Sequence, residues 1–197
     1  MCMSEPHSTL AKFIHWTFIP LYAYGIFKQL DDLSQLEDTG LLIFEVIFAA
    51  VFLLIVILRF SYMKRYETFA GAREPIHHVH VFAAKAVHLS MYLCLILLPL
   101  TGLLIAGLFV QGTKTGVLQD SALVIHELSA LMSYYLIGIH VLAAIYARIK
   151  GDGVWSSMVP WLKETGPNEN KYVQRISELE HQFYEKVSDF IPAKKAK

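Results

Sequence analysis

Six ionisable side chains stand inside the apolar stretches of this 197-residue chain: His15, Glu45, His88, His126, Glu127 and His140. Such groups are costly in a bilayer, and those retained there face a bundle interior or one another. Any chemistry therefore belongs to this short set. His126 and His140 are fourteen residues apart. At about 100° and 1.5 Å per residue they fall within about 40° of one helix face and about 21 Å apart along its axis. That spacing suits two stacked cofactor levels. Imidazole in an apolar interior is a good axial donor for haem iron, and bundle cores hold such groups by side chains on facing helices. A lone intramembrane histidine would more simply hydrogen-bond a neighbouring helix, but four histidines, two in this angular relation, favour ligation.

The elements that must position these residues cross lipid. Hydrophobic residues make up 55% of the chain, charged residues only 17%, and mean hydropathy is +0.44. Soluble domains carry about 25% charge, so an ordinary water-soluble enzyme is excluded. A formal net charge of +0 leaves no electrostatic footprint for nucleic acid. Cys2 and Cys94 build neither a disulfide framework nor a metal knuckle. The start, MCMSEPHSTLAKFIHW, has no basic stretch followed by a cleavable apolar region, so no removable signal peptide is read.

A hydrocarbon core about 30 Å thick needs about 20 helical residues. Four segments meet this, from roughly Phe13 to Leu30, Leu41 to Leu58, Ala86 to Val110 and Ala122 to Ala147. The first is the weakest, interrupted by Pro20 and Gly25. Backbone groups in lipid must pair within a segment, which makes these helices. The expected fold is an all-α integral membrane four-helix bundle over residues 1–150, followed by a cytoplasmic tail, 151–197. In that tail Tyr172, Ile176, Leu179, Phe183, Val187 and Phe190 recur at steps of three or four, the mark of an amphipathic helix. Either it lies solvated along the cytoplasmic face, or it offers a docking face to a partner.

Basic residues set the orientation. Arg59, Lys64, Arg65 and Arg73 follow segment two, and Arg148, Lys150 and Lys163 follow segment four, whereas Asp31, Asp32, Glu37 and Asp38 follow segment one. Both termini are expected in the cytoplasm. Depth then decides partners. His15 lies near the inner surface and His140 in the inner half of segment four, so they can pair. Glu45 and His126 share an outer depth and would face each other. His88, about a third of the way out along a helix rising 1.5 Å per residue, competes for the inner level.

The string HELSALMSYYLIGIHVLAA around His126 and His140, the IHW at His15 and HLSMYLCLILLPLTGLL from His88 resemble the bacterial cytochrome b561 family. They are also similar to membrane cytochrome b subunits of nickel-iron hydrogenases. The likeness covers about residues 10 to 150. It implies b-type haems held between helices by paired histidines, with electrons passed to or from ubiquinone or menaquinone in the inner membrane; related proteins oxidise superoxide. The family pattern has a histidine near the outer start of segment two and a basic residue fourteen positions on, where this chain has Glu45 and Arg59. A carboxylate is a poor substitute for imidazole on low-spin haem. Three outcomes are open: one haem only, an outer haem on His126 with an open or weak sixth position, or Glu45 serving proton transfer. Glu45, His126 and Glu127 could alternatively hold a metal ion.

Weaker features remain. His77, His78 and His80 could bind a metal or line a proton entry, although histidines at a membrane surface explain them more simply. Lys85, Arg59 and Arg148 can reach the inner surface or neutralise haem propionates. Trp16, Trp155 and Trp161 fit an aromatic belt. No nucleophile, nucleotide loop or zinc signature appears, so an enzyme assignment stays open. Two classes of function stand: a redox protein working with membrane lipid, quinone and a redox partner subunit, or a membrane anchor with a degenerate haem site that recruits a partner through its tail. A homodimer is compatible with either.

Overall fold

The computed structural model describes residues 8–30, 32–64, 72–73 and 76–188. Cys2, Asp31, Arg65 and Phe190, named above, lie outside them. The described residues form helices, with no strand among them: α1 (Thr9–Phe27), a 3-10 turn (Leu33–Glu37), α2 (Thr39–Met63), α3 (His78–Val110), α4 (Val117–Lys150), α5 (Val154–Met158) and α6 (Lys171–Ser188). Helices α2, α3 and α4 are long and apolar enough to cross a membrane. The shorter α1, 19 residues around Pro20, is not among them. At 1.5 Å per residue it is about 28 Å long.

Helices α2, α3 and α4 outrun the apolar segments that announced them, because backbone pairing continues past the most apolar stretch, whereas α1 ends at Phe27, short of the expected Leu30. Helix α2 begins at Thr39, where the Asp38 carboxylate accepts from the Gly40 and Leu41 N–H groups at 2.7 and 3.1 Å. A carboxylate so placed satisfies two of the four orphan donors at a helix start. Helix α3 begins at His78, well ahead of Ala86, so His78 and His80 belong to its first turn and His77 directly precedes it.

The chain divides into two compact units. One comprises Phe13–Arg65 and Ser90–Ile137. Its core is Phe18, Phe52, Val56 and Leu95, flanked by Tyr22, Phe48 and Tyr92. Phe18 and Phe52 pack at 5.3 Å between ring centroids, and Tyr22 closes on Ser133 at 2.6 Å between oxygens. The other comprises Met1–Lys12, Tyr66–Leu89 and Gly138–Lys197. Here α4 ends at Gly151 with φ at 77°, a left-handed position suited to glycine. Asn168 turns back to cap it: its N–H donates to the Lys150 carbonyl at 3.0 Å and its side chain to the Ile149 carbonyl at 2.8 Å. Arg73 donates to the Gly151 carbonyl at 3.0 Å. These bonds fold the chain after α4 back on itself and lead it to α6.

Candidate functional site

In the unit holding the end of α4, His88 and His140 set ring against ring, 4.9 Å between centroids and nearly perpendicular. His88 Nδ1 lies 2.7 Å from the Ala84 carbonyl oxygen, one turn earlier on α3. A carbonyl only accepts, so Nδ1 carries the proton and Nε2 keeps the lone pair. This is the tautomer a metal-ligating histidine adopts, its other nitrogen held by a backbone acceptor.

His15, in the other unit, shows the reverse. Its Nδ1 lies 2.6 Å from Nη2 of Arg59. A guanidinium only donates, so His15 Nδ1 accepts and the ring proton sits on Nε2. Arg59 is buried, 9% exposed, with the rings of Phe18 and Tyr92 at 4.9 and 5.7 Å. Its Nε has no partner, and no carboxylate pairs with it among the described residues. A buried cation of this kind fits an anionic group beside His15. The donor set of imidazoles and guanidinium therefore suits a haem, whose iron takes imidazole and whose propionates take arginine. His15 and His140 fall in different units.

The outer cluster is closed. Lys28 forms an ion pair with Glu45, and its ammonium sits 4.4 Å from the centroid of the Phe48 ring. His126 Nδ1 lies 2.9 Å from Thr101 Oγ1, whose hydroxyl donates to the Leu97 carbonyl at 2.7 Å. The imidazole packs against α3 beside Gly102, where a Cβ would meet His126 Cε1 at 3.5 Å, an ordinary contact. The charges of Lys28 and Glu45 act on His126 across space. Among the described residues no group of three His, Cys, Asp or Glu side chains could hold a metal ion. That overturns the metal alternative for Glu45, His126 and Glu127, in which Lys28 takes up the Glu45 carboxylate. It equally removes the metal alternative for His77, His78 and His80.

Those histidines instead meet the tail helix. His80 Nδ1 faces Glu180 Oε1 at 3.3 Å, and His77 stacks on Tyr184 at 5.6 Å between centroids. Tyr146 donates to Glu180 Oε2 at 2.9 Å, and Lys150 reaches the same oxygen at 3.3 Å. Burial pushes the Glu180 carboxyl up, but His80, Lys150, Tyr146 and Tyr184 together outweigh it and hold the group at about 2. Burial, then the Glu180 charge, push the Tyr184 hydroxyl up. His77, His80, Lys150, Glu180 and Tyr184 border a cavity of about 490 Å³, with Arg73, Asp152 and His181 on its wall. The sequence left the tail helix either solvated along a membrane face or offered to a partner; within its unit the structure holds it by its polar face. The readable signal was a pair of spacings, His77 just before α3 with His80 in its first turn, and Glu180 with Tyr184 on α6, the latter placing two side chains on one side of a helix. Glu180, Tyr146 and Tyr184 were missed, because paired polar residues on two helices separated by a hundred positions leave no local pattern.

No curated protein and no solved structure matches the chain. The family model of prokaryotic cytochrome b561 matches residues 6–161, a span that holds His15, Arg59, His88, His126 and His140 together with all three helices able to cross a membrane. The chain belongs to the prokaryotic cytochrome b561 family.

Proposed function

We propose that this membrane b-type cytochrome holds one haem at the level of His15 and His140 and passes electrons between a donor and the quinone pool. The observation that carries the reading is Arg59, a buried guanidinium on the His15 ring with an unpartnered Nε. When bound, the haem supplies one-electron chemistry, with its potential set by axial ligands and burial. The residues of the chain do the rest. His15 and His140 would hold the iron, and Arg59 would give its N–H groups to a propionate, which frees His15 Nδ1 from its donor and allows Nε2 to ligate. The outer level, where Glu45 is ion-paired with Lys28, offers His126 no second imidazole. A bilayer position with both termini in the cytoplasm of a bacterial inner membrane, four spans including α1, superoxide or a partner subunit as donor, and ubiquinone or menaquinone as acceptor complete the reading.

A second reading pairs His140 with His88. It is favoured by their ring contact and by the His88 tautomer, which already presents Nε2. Purified protein separates the readings. A reduced-minus-oxidised spectrum with b-type bands and iron near one per chain is expected, with the bands lost in His15→Ala and kept in His88→Ala. Loss in His88→Ala and retention in His15→Ala would establish the second pairing. Colourless material from cells well supplied with haem would leave the membrane-anchor reading.

A further inference from the structure

Helix α6 spends its polar face on the rest of its unit and turns an apolar stripe outward. Tyr172, Ile176, Leu179 and Phe183 are 81, 52, 57 and 60% exposed. Their steps of four, three and four residues gather them in an arc of about 60° at 100° per residue. One flank of the stripe carries Glu180 and Tyr184, the contacts to His80 and His77. The opposite flank carries Arg175 and Lys186.

The height of the helix is fixed by what it touches. His77 and His80 stand at the beginning of α3, and Tyr146 and Lys150 stand in the last turns of α4. Both α3 and α4 are long and apolar enough to cross a membrane. Helix α6 is thus tethered where two spans leave the hydrocarbon, at the boundary between lipid and water. A helix with a strong polar face, four large apolar side chains on the other and basic residues at their edge lies in the plane of that boundary.

We propose that α6 is an interfacial helix whose apolar stripe enters the leaflet at which α3 begins and α4 ends, with Arg175 and Lys186 placed against anionic lipid phosphates. Lys171 opens the helix, and Lys194, Lys195 and Lys197 follow it in the sequence, adding charge of the same sign. Basic residues near such a surface draw it toward anionic headgroups. Charge selects lipid over a second copy of the chain, because a two-fold contact through the stripe would bring Arg175 and Lys186 of one copy toward those of the other. The inference is independent of haem count and ligand assignment.

The test uses the full chain with Cys2→Ser and Cys94→Ser, carrying a nitroxide at Phe183→Cys or, separately, at Leu179→Cys or Glu178→Cys. The protein is reconstituted in vesicles of phosphatidylcholine with phosphatidylglycerol and in phosphatidylcholine alone. Labels at 179 and 183 are expected to relax with oxygen and to be shielded from a water-soluble nickel chelate, and the label at 178 to show the opposite. Arg175→Glu with Lys186→Glu should weaken the shielding at both positions, and more so in the vesicles containing phosphatidylglycerol. Equal access of the chelate to positions 178, 179 and 183 would overturn the proposal, as would dipolar broadening between labels at 183 on two chains, which would assign the stripe to a second copy.

Discussion

At one end of α2, Glu45 meets Lys28; at the other, Arg59 meets the ring nitrogen of His15 and the faces of Phe18 and Tyr92. Both are charges on a membrane helix, fourteen residues apart. The first is closed within the protein, with side chains 15 and 20% exposed on the two sides of an ion pair. The second is a cation without a carboxylate among the described residues and with an orphaned N–H. A charge already neutralised by a neighbouring helix serves the fold, whereas one left incomplete has room for an anion that the polypeptide does not supply. The same contrast separates the histidines. His126 rests on a threonine, while His88 and His140 face each other.

The largest break in that comparison comes from His140→Ala, which should abolish the b-type absorbance and the bound iron altogether while membrane insertion persists. Glu45→Ala should do the opposite. It leaves Lys28 buried and unpaired, at a cost of about 3–5 kcal/mol in unfolding free energy, yet the haem bands should remain. Haem lost with Glu45 would show that the two ends of α2 are not independent. Arg59→Met removes the open cation, and losing a charge-assisted hydrogen bond of about 1.5–3 kcal/mol should weaken haem retention by roughly 10- to 100-fold in a transfer assay.

Smaller effects sharpen the edges. Glu180 is held at about 2 against an ordinary 4.5. The lowered carboxyl contributes stability that is complete above about 4.5 and lost as pH falls toward 2. The mobility of a spin label on α6 should therefore rise through that acid range, and Glu180→Gln should flatten the rise. Smallest of all is Gly102→Ala. The added methyl would meet His126 at 3.5 Å, an ordinary contact, so thermal unfolding should move by less than about 1 kcal/mol, in the stabilising direction expected when alanine replaces a helical glycine.

Much of this arrangement was readable before any coordinates. Long apolar runs broken by few charges make α2, α3 and α4 long and apolar enough to cross a membrane, and the fourteen-residue spacing on α4 set His126 and His140 near one face. The shared depth of Glu45 and His126 also followed from counting inward from the segment ends. What Glu45 does at that depth did not, because Lys28 sits at the end of α1 and nothing local ties it to α2. The tautomers of His15 and His88 were equally hidden. Each depends on whether the neighbour of Nδ1 is a donor or an acceptor, and in His15 that neighbour is 44 residues away.

Sequence by itself determined the helices and their apolar, membrane-crossing character, since hydropathy and the 3.6-residue turn are properties of the chain as written. Tertiary structure alone decided which charges are cancelled and which are left open, that Glu180 rather than an apolar stripe docks the tail helix, and which nitrogen of each imidazole bears the proton. The reason is one of range. Burial and helix period act on neighbours in sequence, whereas hydrogen bonds and ion pairs reach only a few ångströms and join residues that folding alone brings together.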